Sequence, residues 1–356
     1  MGIRFIGHKQ KLVSEIVSVI DSTVGQSTRI GDLFTGTGSV AAGLKQSGHS
    51  VVANDLLTHC CLSARAQLCN PPQPAFEMLL EEAPEVSEVS NQFIQRSGYT
   101  QTLSYLNQVE GIPGFVYSTY SPGGTADREE PRQYFTNENA KQIDAIRQRV
   151  HQWHNDGIIS DDEHALLIYD LIQATNEVAN TAGTYGAFLK SWYERAKESL
   201  ELTPSEIPDG PLDHKIFQQD ANKLATDLSV PAVYLDPPYT KRQYASYYHL
   251  PETISQKTNP SVSGKTGLPD WKPKSSDYCH KRRAGGKLDG LLSNLDTEYV
   301  FLSYSDEGHI TPDELNNILT NHGSVELHTF DHQRYKSNTE AKSGDLTEAL
   351  YVVELA

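Results

Sequence analysis

Apolar positions along the chain follow two rhythms, and the rhythm changes twice. Short apolar runs at Ile30–Phe34, Val51–Ala53, Lys215–Phe217, Val230–Leu235 and Tyr299–Tyr304 read as buried strands, each bounded by glycine, proline or polar residues. Helical spacing surrounds the first two. His8 to Ile20 carries Leu12, Ile16, Val19 and Ile20 on one face, a second stretch runs to about Gln46, and a third covers Leu56 to Asn70. Pro71-Pro72-Gln73-Pro74 then breaks the pattern. From there to about Pro211 the strand–helix alternation stops. Asn137 to Trp153 places Ile143, Ile146, Val150 and Trp153 on one face, and Ser160 with Glu163 forms a capping box for a helix bearing Leu166, Leu167, Leu171 and Ile172. Residues 110–135, rich in Gly, Pro, Tyr and Ser, are too long for an ordinary connection. Alternation returns at Lys215. Thr311-Pro312-Asp313-Glu314 starts a helix to about Asn321, and Val325–Phe330 with Ala349–Glu354 read as an antiparallel pair at a sheet edge. The pattern predicts an α/β chain in three parts: residues 1–70, a mainly helical insertion at 71–210, and a returning α/β part at 211–356.

The strand Val230–Leu235 runs directly into Asp236-Pro237-Pro238-Tyr239. A carboxylate, two prolines and an aromatic ring therefore sit at a strand's carboxyl end, where open α/β sheets bind ligands. Prolines offer carbonyl acceptors without competing amide donors. An acceptor-rich edge beside an aromatic face suits a planar amine such as the exocyclic amino group of adenine. Upstream, Ile30–Phe34 leads into Thr35-Gly36-Thr37-Gly38-Ser39-Val40-Ala41, whose glycines permit a tight turn and close approach of a ligand to the start of a helix. Asp55 follows Gly36 by 19 residues, a spacing at which an acid meets ribose hydroxyls. Taken alone, this loop also fits the dinucleotide fingerprint and leaves a nicotinamide cofactor open.

Together the two motifs resemble those of S-adenosylmethionine-dependent amino-methyltransferases, specifically the Dam-type class of DNA N6-adenine methyltransferases. The likeness rests on Phe5-Ile6-Gly7-His8-Lys9-Gln10-Lys11-Leu12, Asp32-Leu33-Phe34-Thr35-Gly36-Thr37-Gly38, Ala53-Asn54-Asp55, Gln219-Asp220-Ala221, Asp236-Pro237-Pro238-Tyr239 and Tyr299 to Asp306, in that order. Arg132-Gln133-Tyr134-Phe135-Thr136, Arg242-Gln243-Tyr244 and Tyr248-His249-Leu250 carry a finer likeness to restriction–modification enzymes of the FokI type. The resemblance implies a Rossmann-like class I methyltransferase sheet with an inserted, mainly helical target-recognition lobe. It implies that Lys9, Asp32, Phe34, Gly36, Gly38, Asp55, Asp220 and Asp236 hold S-adenosylmethionine, which leaves as S-adenosylhomocysteine. Asp236, Pro237, Pro238 and Tyr239 would form the catalytic loop. Asp220 equally suits a helix N-cap, and Lys9 a solvated helix end.

Charge complicates the picture. The 356 residues hold 46 acids against 30 Lys and Arg, a net charge of −16, whereas nucleic-acid binders usually show a basic footprint. The segment 241–287 runs the other way: with Asp289 just beyond it, ten Lys/Arg oppose four acids, a local +6. Lys241, Arg242, Lys265, Lys281, Arg282 and Arg283 are its expected DNA contacts. From the insertion, Arg132 and the Gly183–Trp192 stretch with Tyr185 and Lys190 join them. The alternatives are a solvated charged loop for the first group and packing of the lobe's own core for the aromatic residues of the second. Cys60, Cys61, Cys69 and Cys279 lack metal-type spacing, so no metal is expected, and no cysteine follows a proline as a cytosine-C5 nucleophile would. No apolar run approaches about 18 residues, and the start carries no signal pattern, which points to a cytoplasmic protein without a membrane partner. The expected partner is double-stranded DNA, with a cognate endonuclease acting separately and the chain working as a monomer. Amino methylation of cytosine N4 or of RNA, and a catalytically silent DNA-binding module, remain the competing readings.

Overall fold

The structure is a computed structural model that describes residues 9–88, 97–332 and 346–356. Residues 5–8 of the amino-terminal motif lie outside the described residues. The chain forms two compact units. One comprises Lys9–Leu56, Gly210–Gln243 and Lys274–Ala356; the other comprises Leu57–Asp209 and Tyr244–Pro273.

The first unit is built on one seven-stranded sheet. Its strands are β1 (Arg29–Asp32), β2 (Ser50–Asn54), β3 (Lys215–Phe217), β4 (Ala232–Leu235), β5 (Tyr299–Ser305), β6 (Gly323–His332) and β7 (Leu346–Leu355). In space they run β3-β2-β1-β4-β5-β7-β6. The first five are mutually parallel, while β7 is antiparallel to both β5 and β6. The order reverses between β1 and β4, which makes the carboxyl ends of those two strands the switch point of the sheet. All four residues of β4 are buried, which accounts for its unbroken apolar run. Leu33, Val233, Leu235, Val300, Leu302, Leu291, Leu315 and Val353 form part of one core around the sheet.

The amino-terminal helix spans Val13–Val24 rather than starting at His8. Lys9–Leu12 instead make a turn, closed by the Leu12 amide on the Lys9 carbonyl at 2.7 Å, and this turn carries the Lys9 side chain inward. The helix lies close to the next one, Ser39–Gln46, because Gly43 has no side chain: a Cβ there would sit 2.3 Å from Val13 Cγ1.

The second unit is mainly helical. Its core includes Leu103, Tyr134, Ile143, Ile146, Val150, Trp153, Leu167, Leu171, Tyr185 and Ile254. The capping box at Ser160 and Glu163 is present in full. Within residues 110–135 a short helix, Phe115–Tyr120, is held at its start by Asp144, whose carboxylate accepts from the amides of Gly114, Val116 and Tyr117 at 3.1, 2.9 and 2.8 Å.

Two boundaries drawn from sequence move. The helix Thr58–Cys69 belongs with the helical unit rather than with residues 1–56, because it packs against Asp161–Glu177 and His249–Ser255. Its first turn is capped by Glu252, which accepts from the Thr58 and His59 amides at 3.1 Å each. Residues Tyr244–Pro273 likewise belong to the helical unit, so the stretch after the Asp236 loop is not one continuous part of the sheet unit.

Candidate active site

The sheet unit gathers five of the expected cofactor residues around the exit of β1. After Asp32 the chain turns through Thr35 to Gly38, closed by the Gly38 amide on the Thr35 carbonyl at 2.8 Å. Gly36 (φ 52°) and Gly38 (φ 81°) both take left-handed backbone, where glycine carries no penalty. Gly38 is also the N-cap of Ser39–Gln46. The Gly36 amide donates to Asp55 Oδ2 at 3.0 Å, so the acid at the end of β2 is aimed at the turn leaving β1.

Asn54, which the motifs do not single out as a site residue, organises this region. Its buried amide donates to the carbonyls of Leu33 and Gln219, each at 3.1 Å, and accepts from the Gln219 amide at 3.2 Å. One side chain thus ties together the loops that follow β1, β2 and β3. Asp220, next in line, caps the helix Ala221–Leu224, its Oδ1 accepting from the amides of Asn222 and Lys223 at 3.0 and 3.3 Å.

Phe34 packs edge-on against Tyr278 with ring centres 5.1 Å apart. Tyr278 is buried, and its hydroxyl donates to Asn222 Oδ1 at 3.0 Å. This second aromatic wall has no signal in the sequence, because it lies far along the chain in a segment that stands out only for its charge.

Asp32 is 1 % exposed. Its Oδ2 accepts from the Thr35 hydroxyl at 3.1 Å, while its buried Oδ1 has no hydrogen-bond partner among the described residues. Burial pushes the carboxyl up to about 7; the Thr35 hydrogen bond opposes this, and the nearby charges of Asp236 and Asp55 add to it.

At the end of β4, Asp236 Oδ1 lies 3.0 Å from the Lys9 ammonium, which also sits 5.5 Å from the centre of the Tyr239 ring. Lys9 is therefore a buried partner of the loop and not a solvated helix end. Tyr239 packs edge-on against Tyr304, centre to centre 5.7 Å. Its carbonyl accepts from the His309 amide at 2.8 Å, and the Tyr304 hydroxyl accepts from the Ile310 amide at 3.1 Å. The stretch after β5 thus braces the Asp236–Tyr239 loop, which gives the Tyr299–Asp306 motif a structural meaning.

A sequence profile of the D12 class of N6 adenine-specific DNA methyltransferases matches residues 5–318. The chain belongs to this family. Among curated relatives, it is 33 % identical to the modification methylase StsI of Streptococcus sanguinis over 359 aligned residues, covering 99 % of this chain and 52 % of that protein. The type II methyltransferase M.FokI of Planomicrobium okeanokoites gives the same identity and coverage. The type II methyltransferase M.NlaIII of Neisseria lactamica is 32 % identical and is covered over 99 % of both chains. The chain thus spans about half the length of the StsI and FokI proteins and nearly all of the NlaIII protein.

The expected DNA contacts of this D12-class chain fall into two groups. In the sheet unit, Lys241, Arg242, Lys281, Arg282 and Arg283 are all exposed. Arg283 and Lys287 pair with Asp277 at 2.9 and 3.3 Å. In the helical unit, Lys190 and Lys265 are exposed, and both approach Glu130. Arg132 and Tyr185 are not at the surface. Arg132 is 4 % exposed and Tyr185 1 %. Arg132 donates to the carbonyls of Thr119, Gly264 and Lys265, and the Tyr185 carbonyl accepts from Tyr134 and His249. The structure thus places both as packing residues rather than surface contacts. Among the described residues no cluster of three or more His, Cys, Asp or Glu could hold a metal ion, and no helix is long and apolar enough to cross a membrane.

Proposed function

We propose that this chain transfers a methyl group from S-adenosylmethionine to N6 of an adenine flipped out of a specific double-stranded DNA sequence, as the modification enzyme of a restriction–modification system. The observation that carries this reading is the adjacency of two loops. The Thr35–Gly38 turn and the Asp236–Tyr239 loop leave neighbouring parallel strands at the switch point of the sheet. A site for the methyl donor and a site for an amino group therefore share one edge.

The residues present fit S-adenosylmethionine. Asp32 Oδ1, buried and without a hydrogen-bond partner among the described residues, suits the cationic amino-acid end of the molecule. Lys9 suits its carboxylate, Asp55 its ribose, and Phe34 with Asp220 its adenine. When bound, the cofactor supplies an activated methyl group on sulfur. The chain's own task is to present the acceptor nitrogen. Hydrogen bonds from the adenine amino group to the Asp236 carboxylate and the Pro237 carbonyl favour a tetrahedral nitrogen whose lone pair is free of the ring. Holding both reactants in place lowers much of the remaining barrier.

The target base has to leave the duplex, which costs a few kcal/mol. Stacking on an aromatic ring such as Tyr239 returns about 1–3 kcal/mol per base. The sheet arrangement is consistent with a Rossmann-like class I methyltransferase, and the helical unit supplies the natural place for target recognition. The exposed cations around Lys281 suit backbone phosphates. One chain carries all these parts, which favours monomeric action beside a separate endonuclease.

Incubation with methyl-labelled S-adenosylmethionine and unmethylated bacterial DNA, followed by nucleoside mass spectrometry, tests the reading. N6-methyldeoxyadenosine is expected. Label in N4-methyldeoxycytidine would change the base, and unlabelled DNA would overturn the assignment.

A further inference from the structure

The turn at Gly264–Gly267, exposed at Gly264 and Lys265 and buried at Gly267, is anchored from beneath by a buried arginine. Val262–Ser263 pairs antiparallel with Leu268–Pro269, and the turn between them carries Gly264 and Gly267 at φ +70° and +71°. Arg132 donates from Nε to the Lys265 carbonyl at 3.0 Å, from Nη2 to the Gly264 carbonyl at 3.0 Å and from Nη1 to the Thr119 carbonyl at 2.9 Å. Arg128 also reaches the Gly264 carbonyl at 3.2 Å, and the Tyr120 hydroxyl donates to the Gly267 carbonyl at 2.9 Å. The fit is close: a Cβ on Gly267 would lie 2.8 Å from Arg132 Cζ.

A hairpin this short is marginal by itself. Arg132 and Tyr120 meet carbonyls of the turn that are themselves partly or fully buried, so the turn is tied to the elements beneath it through side chains rather than through water. The consequence of the anchor is positional: it fixes where the tip, with its exposed Lys265, stands. Lys265 pairs with Glu130, and the same carboxylate lies 3.8 Å from the ammonium of Lys190. Two exposed cations thus share one acid on a rigid base.

We propose that this hairpin tip is a site-selecting DNA contact and that Arg132 is its positioning residue. The proposal rests on the reading of the chain as a DNA methyltransferase. A two-stranded ribbon is one of the two elements that the major groove admits. In this arrangement phosphates replace Glu130 as the partner of Lys265 and Lys190. Arg132 acts through the turn without touching DNA.

The test compares the full chain with Arg132→Lys, Lys265→Ala and Glu130→Gln, measuring cofactor affinity, thermal midpoint, KM for DNA against kcat, and a map of methylated adenines. Lysine keeps the charge at position 132 but loses the planar fork. Arg132→Lys should raise KM for DNA about tenfold, by more than any change in kcat, and spread methylation to near-matching sites. Lys265→Ala should raise KM without altering cofactor affinity, and Glu130→Gln should lower KM at low salt. An unchanged KM and site map in Arg132→Lys, or no gain in Glu130→Gln, overturns the proposal. Should Arg132→Lys fail to fold, the two exposed substitutions decide the question. If the unsubstituted chain methylates no DNA, the underlying reading fails instead, and the same variants' affinity for duplex DNA then judges the hairpin.

Discussion

The Lys9 ammonium stands 3.0 Å from Asp236 Oδ1 and 5.5 Å from the centre of the Tyr239 ring. One buried cation therefore touches both the acceptor and the aromatic face of the proposed adenine site. Replacing it by methionine leaves Asp236 beside the buried Asp32 without this compensation. Lys9→Met should cost about 2 kcal/mol of stability, below the roughly 3–5 kcal/mol of a fully buried broken pair because Asp236 keeps some solvent contact. It should also weaken S-adenosylmethionine binding. Denaturant melts and calorimetric titration measure the two effects, and a variant as stable as the parent would show that the pair contributes nothing.

Asp236→Ala removes the acceptor that the amino group needs and leaves the Thr35–Gly38 turn untouched. Turnover should fall by about 10²–10³-fold or more, the scale for loss of one preorganised polar group at a reacting centre. Cofactor affinity should largely survive. Single-turnover methyl transfer gives the first quantity and equilibrium binding the second. Near-normal turnover would sink the catalytic assignment of this loop.

The sequence disclosed what is local. The Asp236–Tyr239 loop and the Gly36–Gly38 turn could be placed at strand ends because their chemistry and their flanking apolar runs are contiguous. Asp220 as a helix cap and the Ser160 capping box were legible for the same reason. What escaped reading is set by neighbours distant in the chain. Arg132 looks the same in sequence whether it faces DNA or the carbonyls of Gly264 and Lys265, which are more than a hundred residues away. Tyr185 lies in a glycine-rich stretch that suggested exposure, yet Tyr134 and His249 draw its backbone inward. Tyr278 as the neighbour of Phe34, and the return of Tyr244–Pro273 to the helical unit, are tertiary facts without a local signature.

Asp32 should make stability depend on pH. Its carboxyl titrates near 7 in the folded chain, chiefly through burial, against an ordinary value of 3.8. A raised acid favours the protonated folded state, so its contribution is complete below the ordinary value and is lost as pH rises through about 7. Asp170, buried in the helical unit, is likewise pushed up to about 7 and acts in the same direction, while His151, His164 and His249, whose imidazoles burial pushes down, act in the opposite one. Asp32→Asn should remove the Asp32 contribution alone. Melts at pH 5 and pH 8 should therefore show the variant gaining stability relative to the parent as pH rises. An identical pH response in the two proteins would place the Asp32 carboxyl back in the ordinary range.

Lys281, Arg282 and Arg283 occupy the first turn of the helix Lys281–Leu292, where cations oppose the helix dipole. Their presence is therefore unexplained by helix stability and is consistent with a polyanionic ligand. Arg283 already pairs with Asp277, whose carboxyl it holds below the ordinary range, whereas Lys281 and Arg282 are exposed at the surface. The double substitution Lys281→Gln with Arg282→Gln should lower DNA affinity about equally for matching and non-matching sequences. It should reduce the slope of log affinity against log salt by roughly two, about 0.9 for each phosphate no longer neutralised. Arg283→Gln should change the slope less, because the cation it removes is partly neutralised. Thermal stability of the double variant should hold or rise slightly, since the dipole is no longer opposed. Binding titrations across a salt series decide the matter: an unaltered slope in the double variant would remove this helix start from the DNA path.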